Sequence, residues 1–420
     1  MSALAGLCLK HGKTVTGSDS HRSKITERLS AEGADYFGEE SKENISDSHD
    51  LLVYTPAVLE DHPELLEARK KNILAISYPE ALGLISKDMF TIAVSGTHGK
   101  TTTTAMIAHI LESLGLDPTV VVGSLIKGDG NGDWTSNFRY GKGGHLVVEA
   151  CEYKRSFSYL YPNVLVITNI EEDHLDYYKD LSDIQSAFRD VVLKLPEDGK
   201  LVCLPEDEKV KPVTSFSKAT VIDYGKEKMD ELSLPTPGEH NRLNARAAMA
   251  AVATVGVSSE DAKKTLESFS GTWRRFEYKG ETKKGALVYD DYAHHPSEIV
   301  ATISATREKF ADKEVVVVFQ PHLYSRTDFF FDDFVDALSG ADYVVLTPVY
   351  QARVEKHEPE HSSEHLVSRL SDKVRGVFSV PSLENAVDLV SKKFNSDCVV
   401  IMMGAGDIYT VTKKLVLEKV

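Results

Sequence analysis

The stretch FTIAVSGTHGKTTT, residues 90–103, decides the fold. Its first six residues read as a strand, and the run from Thr101 to Leu114 reads as a helix. Between them lies the glycine-containing turn Gly96-Thr97-His98-Gly99-Lys100-Thr101-Thr102. In a strand, loop, helix order the turn's amides and the helix N-terminus point at one spot, which favours a bound phosphate. Lys100 is expected to reach the outer phosphates, and the Thr101 hydroxyl to give an oxygen to a magnesium ion bridging them. A full P-loop spacing asks for glycine at position 94; this chain has Val94, so the loop is a shortened variant.

Outward from that stretch the same alternation continues. Ser2 to Gly12 reads as a helix, with Lys13 to Gly17 and Leu51 to Thr55 as strands. Further strands are expected at His145 to Ala150 and Val164 to Asn169, then a polar, proline-containing stretch from Leu204 to Gly238 and a buried alanine-rich helix over Ala245 to Ala253. From Ala286 the runs ALVYDD, EVVVVF, DYVVLT, RGVFSV and CVVIMM alternate with helical patterns. Short β-branched runs between helices predict α/β architecture, with parallel sheets covered on both faces. The 420 residues suffice for three such layers, expected at 1–88, 89–269 and 270–420.

Composition narrows the function. A formal net charge of -16 would repel phosphate-rich partners, so neither a general nucleic-acid binder nor an acidic-membrane binder is expected, and an anionic ligand needs a local cationic pocket. Cys8, Cys151, Cys203 and Cys398 form no CxxC pair, which fits a reducing cytoplasm. No apolar run approaches the roughly 18 residues that cross a bilayer.

Glu149 ends the strand HLVVEA, and His174 follows VLVITNI within Glu171-Glu172-Asp173-His174. Groups at the C-terminal ends of parallel strands share one crevice, so this carboxylate and imidazole could hold magnesium against phosphates carried by the Gly96 loop.

With these residues in hand the chain resembles the muramyl (Mur) ligase family, and within it the branch that adds L-alanine. The resemblance rests on GTHGKTTT at Gly96, EACEYKRSF at Glu149, TNIEEDHLDYY at Thr168, GEHNRLNARAA at Gly238, WRRFE at Trp273, DDYAHHPSEI at Asp290, FQPHLYSRT at Phe319 and GAGDI at Gly404. It implies a Rossmann-like N-terminal domain for a UDP-sugar, a P-loop ATPase-like central domain and a Rossmann-like C-terminal domain for an amino acid. It implies ATP and Mg2+, with Mn2+ as a substitute, and UDP-N-acetylmuramate and L-alanine as substrates joined through an acyl phosphate. Lys100 and the loop amides would hold the triphosphate, with Thr101, Glu149 and His174 on the metal. His240 and Asn244 resemble adenine contacts, Arg275 the arginine that reaches the terminal phosphate, and Asp291 a ribose-side carboxylate. His294, His295, His322, Arg326 and Arg353 resemble the residues where acceptor and muramyl carboxylate meet. Because Arg275 and Lys100 belong to different domains, open and closed forms are expected.

The chain departs from the family pattern in two places. Family members open with a strand and a glycine-rich loop ending in Met-Ser, whereas this chain starts at Met1-Ser2-Ala3, where that loop finishes. A start assigned too far downstream, or weakened binding of the UDP end, would follow. Gly17-Ser18-Asp19 resembles the acidic strand end that faces a nucleotide ribose, and Cys151 stands where many relatives have aspartate. Two rival readings keep the same fold: a murein peptide ligase that attaches a recycled tripeptide, and a catalytically silent nucleotide-binding relative.

Overall fold

The computed structural model describes residues 1–417 other than 20, 128–133, 231, 354 and 356–359. The chain divides into two units, residues 1–232 with 244–266, and residues 233–243 with 267–420.

The first unit begins with two separate pairs of parallel strands. β1 (Thr16–Ser18) pairs with β2 (Asp35–Phe37), and β3 (Leu51–Tyr54) with β4 (Leu74–Ser77). No ladder joins the two pairs among the described residues. The helix Ser2–Lys10 packs its buried Ala3 and Leu7 against Phe138 of the next sheet.

That sheet has seven strands: β5 (Phe90–Ser95), β6 (Thr119–Lys127), β7 (Trp134–Arg139), β8 (His145–Glu149), β9 (Val164–Ile167), β10 (Lys200–Cys203) and β11 (Thr220–Asp223). Their order is β11-β10-β9-β5-β8-β6-β7, parallel throughout except for the antiparallel pair β6–β7. Ile92, Ala93 and Val94, like Leu146 to Val148 and Val164 to Ile167, have no exposed surface, as expected for strands covered on both faces. After β8 the chain crosses β5 to form β9 on its other side. The crevice at the C-terminal end of β5 is therefore a topological switch point, where open α/β sheets bind ligands.

The second unit holds a six-stranded sheet of β12 (Glu277–Glu281), β13 (Leu287–Asp291), β14 (Glu314–Phe319), β15 (Tyr343–Leu346), β16 (Gly376–Ser379) and β17 (Cys398–Met403). The order is β12-β13-β17-β14-β15-β16, parallel apart from β12–β13. Val315 to Phe319 and Val399 to Met403 are fully buried.

Several expectations shift. The strand anticipated at Lys13 to Gly17 lies at Thr16–Ser18, and the first helix ends at Lys10. The polar stretch Leu204 to Gly238 contains the short helix Lys211–Thr214 and the edge strand β11. Both antiparallel additions, β6–β7 and β12, escape the parallel α/β reading. Among the described residues no helix is long and apolar enough to cross a membrane.

Candidate active site

The loop after β5 is fastened to the segment after β9. The Thr97 amide donates to the Asn169 carbonyl at 3.1 Å and the His98 amide to Asn169 Oδ1 at 2.9 Å. The Thr168 hydroxyl and Asn169 Nδ2 donate to the His98 carbonyl at 2.5 and 3.1 Å, and the Glu171 amide donates to Thr97 Oγ1 at 2.8 Å. His98 Nε2 lies 3.6 Å from Glu171. Two glycines are required here. Gly96 has φ +133° and a Cβ would stand 2.0 Å from Thr168 Oγ1; Gly99 has φ +83° and a Cβ would stand 2.3 Å from Asn244 Oδ1. Gly99 caps the helix Lys100–Ser113, whose first residues Thr101 and Thr102 are buried. The TNIEEDH segment therefore braces the loop through Thr168 and Asn169, a role that reading the sequence did not assign.

Around this loop the predicted groups gather. The Thr101 hydroxyl lies 3.1 and 3.0 Å from the two Glu149 carboxylate oxygens, and the Gly123 amide donates to Glu149 Oε2 at 2.7 Å. Burial, with the Glu149 charge beside it, pushes the Tyr78 phenol up to about 12. Lys100 Nζ donates to the Gly96 and Thr97 carbonyls at 2.5 and 2.9 Å and lies 3.0 Å from each carboxylate oxygen of Glu152. Burial opposes the charge on Lys100, but Glu152, with Cys151 and Glu149 beyond it, outweighs burial and raises its pKa. His174 Nε2 sits 3.6 Å from the same Glu152 oxygen and 3.8 Å from Asp173. Its backbone is left-handed, φ +55°, an uncommon state for a residue with a side chain. Lys100, Glu149 and His174 are thus brought together, with Glu152 between Lys100 and His174. Glu152 was within the quoted EACEYKRSF, but nothing in its spacing marked it.

Cys151 has an exposed residue surface, yet its sulfur is desolvated and faces Glu152, which together push the thiol up to about 12. A protonated thiol is a poor nucleophile, so the structure does not support a reactive cysteine. Asn244 sits against the loop, accepting from the Thr103 hydroxyl at 3.3 Å. At the end of β1 the Ser18 hydroxyl donates to Glu64 at 2.8 Å, and Asp19 accepts from the His21 amide at 2.9 Å.

In the second unit Asp291 ends β13, His294 and His295 follow it, and His322 follows β14. Arg275 lies 4.8 Å from the Tyr292 ring and 3.7 Å from Glu298, and is partly exposed. Its neighbours hold it out: Arg274 is buried, paired with Asp290 at 3.0 Å and bonded to the Gly404 and Gly406 carbonyls of GAGDI. Both Arg274 and Phe276 have positive φ. Asp291 accepts the Phe276 and Ala293 amides at 2.7 and 2.8 Å; burial raises its carboxyl to about 6 despite Arg275 nearby. It therefore braces the turn that presents Arg275. His240 is kept neutral by burial, its pKa lowered to about 4.

His294 lies 3.2 Å from Glu298 and 5.7 Å, ring to ring, from His322, which Arg326 meets at 3.4 Å. His295 is buried and caps the helix Pro296–Lys309, its Nδ1 2.8 Å from Ser297 Oγ. Arg353 is exposed.

Comparison with known proteins agrees with this geometry. Residues 1–89 match the Mur ligase family catalytic domain, residues 94–232 the Mur ligase middle domain, and residues 274–406 the Mur ligase glutamate ligase domain. A UDP-N-acetylmuramate--L-alanine ligase of Clostridium perfringens is 39% identical, with 98% of this chain and 94% of that one covered. The ligase of the same name from Acetivibrio thermocellus is 38% identical over 100% of this chain and 94% of its own. Among solved structures, the UDP-N-acetylmuramate-alanine ligase of Thermotoga maritima superposes with a TM-score of 0.80 at 30% identity, covering 99% of this chain and 95% of that one. A murein peptide ligase of Psychrobacter arcticus shares the fold, with a TM-score of 0.69 at 22% identity over 99% and 97% of the two chains. A glycine-containing loop braced at a switch point, matches over all three segments and full-length relatives at this identity lead to one conclusion: the chain belongs to the Mur ligase family.

Proposed function

We propose that the chain uses ATP and a divalent cation to join L-alanine to the carboxylate of UDP-N-acetylmuramate through an acyl phosphate. The observation that carries the reading is the convergence of Lys100, Thr101, Glu149 and His174 on the loop at the end of β5, in a chain whose full-length relatives are named for this reaction. The Glu149 oxygens and Thr101 hydroxyl form a hard oxygen set that suits Mg2+, and the His174 nitrogen also suits Mn2+. A cation held there would neutralise the phosphate oxygens.

Lys100 draws the triphosphate into the loop and offsets its charge. A muramyl carboxylate oxygen then attacks the γ-phosphorus, the bond to the bridging oxygen breaks, and ADP leaves. The neutral alanine amine attacks the acyl carbon; the tetrahedral adduct loses phosphate and a proton, leaving the amide. Arg275 is assigned to the terminal phosphate. Its turn, fixed by Arg274, Asp290 and Asp291, supports that role, because a preorganised cation needs no reordering as charge develops. His294, His322, Arg326 and Arg353 are assigned to the acceptor and muramyl carboxylate, His240 and Asn244 to the adenine side, and Ser18 and Asp19 to the uridine ribose. A reaction between ATP and a nucleotide sugar places the enzyme in the cytoplasm.

An acceptor screen tests the reading: phosphate release from ATP with UDP-N-acetylmuramate and L-alanine, L-serine, glycine or the murein tripeptide. L-alanine is expected to be the best acceptor, and preference for the tripeptide would overturn the assignment.

A further inference from the structure

Glu152 has no part in the scheme above, yet it is among the most enclosed carboxylates of the first unit, with 3% of its surface exposed. Its backbone is fixed. The Glu152 carbonyl accepts the Arg155 amide at 2.9 Å and the Tyr178 hydroxyl, and Lys154 and Arg155, two and three residues further on, hold left-handed conformations with φ +52° and +56°. The Arg155 guanidinium is itself tied to Asp183 and Asp190 at 2.8 and 2.7 Å. Strain of this kind persists where surrounding contacts over-determine it. The carboxylate so placed meets two partners: Lys100, 3.0 Å from both oxygens, and His174, 3.6 Å from one.

A lysine cannot give its full charge to a phosphate and to a carboxylate at once. Removing one partner of a buried pair leaves the other uncompensated, which costs far more than the pair contributes. Lys100 therefore needs Glu152 while the loop holds no nucleotide, and Glu152 needs another partner once Lys100 turns to a phosphate. As long as no cation claims its ring nitrogen, His174 stands on the far side to serve as that partner, 3.6 Å away.

We propose that Glu152 is a phosphate placeholder: it occupies Lys100 in the nucleotide-free enzyme, and an incoming phosphate takes Lys100 over while Glu152 remains with His174. The inference rests on the nucleotide reading of the preceding section and adds a positioning residue that sets how tightly the loop holds a phosphate. Neutralising Glu152 removes the competitor and leaves Lys100 unpaired only in the free enzyme, so both effects tighten binding.

The test is titration calorimetry of the full chain with ATP in EDTA, which removes metal and turnover from the readout. E152Q is expected to bind ATP about tenfold more tightly than the unaltered chain, equivalent to about 1.4 kcal/mol. E152D, which keeps the charge, is expected to stay within about threefold. K100A binds more weakly, and adding E152Q to K100A restores nothing. Without nucleotide E152Q melts at a lower temperature than the unaltered chain, and saturating ATP raises its midpoint by more, a shift that a purely structural role would not produce. If E152Q is too unstable to handle, E152A is expected to show the same direction. Unchanged or weaker ATP binding by the neutral variants, with K100A still weakening binding, overturns the placeholder and leaves the nucleotide reading intact. Failure of every chain to bind ATP overturns that reading, and this inference with it.

Discussion

The strands β1 to β4 and the sheet β5 to β11 lie in one unit and use the same α/β alternation, but they are built to different standards. In the second, β5, β8 and β9 each have parallel neighbours on both sides and carry side chains without exposed surface. In the first, each strand pairs on one side only among the described residues, β1 to β4 contain no fully buried residue, and Leu51 and Leu74 are 43% and 63% exposed. Two-stranded sheets are marginal by themselves. The residues proposed for the reaction and for the sugar nucleotide divide accordingly: Lys100, Thr101, Glu149 and His174 end or follow strands of the seven-stranded sheet or lie on the helix after β5, while Ser18 and Asp19 lie at the end of a two-stranded pair.

The contrast can be broken by substitution. K100A is expected to lose about three orders of magnitude in alanine-dependent phosphate release. S18A is expected to raise the KM for the UDP-sugar by less than about tenfold, with kcat unchanged, since it removes one neutral hydrogen bond. A comparable loss of kcat in S18A would erase the distinction.

Amide hydrogen exchange sharpens it without mutation. Amides of β5 and β9 are expected to exchange about a thousandfold more slowly than those of β1 and β3, because local opening of a half-buried pair exposes little apolar surface. Equal protection would show that the first layer is held by something other than its own ladders.

Core truncation gives the next effect. Ile92→Ala on β5 is expected to cost about 3 to 4 kcal/mol in urea unfolding, and Val53→Ala on half-buried β3 about 1 kcal/mol, since the penalty follows the cavity left behind. Glycine substitution gives the smallest difference between the two regions. Gly33 has φ +107° with open space where a Cβ would go, so Gly33→Ala carries backbone strain alone, about 1 to 2 kcal/mol. Gly99→Ala adds the collision with Asn244 and is expected to cost about 1 kcal/mol more and to weaken ATP binding. If the two variants melt alike, the loop is softer than its bonds to Thr168 and Asn169 imply.

Much of this was legible in the residues, for local reasons. FTIAVS, HLVVE and VLVI are short runs of β-branched and apolar residues, and the glycines between strand and helix mark the turn that the structure forms there. What stayed hidden was non-local. EYKGE of β12 and TVID of β11 lie at sheet edges and have too little apolar pattern to announce a strand. The pairing of Glu152 with Lys100 depends on β8 lying beside β5, which no spacing along the chain encodes. The resemblance implies a ribose-side role for Asp291; what the sequence could not show is that its oxygens also accept the amides of Phe276 and Ala293.

The position of β17 bears on how the protein is made. Although it comes after every other strand in the chain, it lies between β13 and β14, which cannot meet each other directly. On a ribosome adding about 5 to 20 residues per second, β14 would wait roughly 4 to 17 seconds for the residues of β17 to be added, and longer until they clear the exit tunnel. During that interval two apolar strand edges lie open, so the second unit is most prone to mispairing before β17 is inserted.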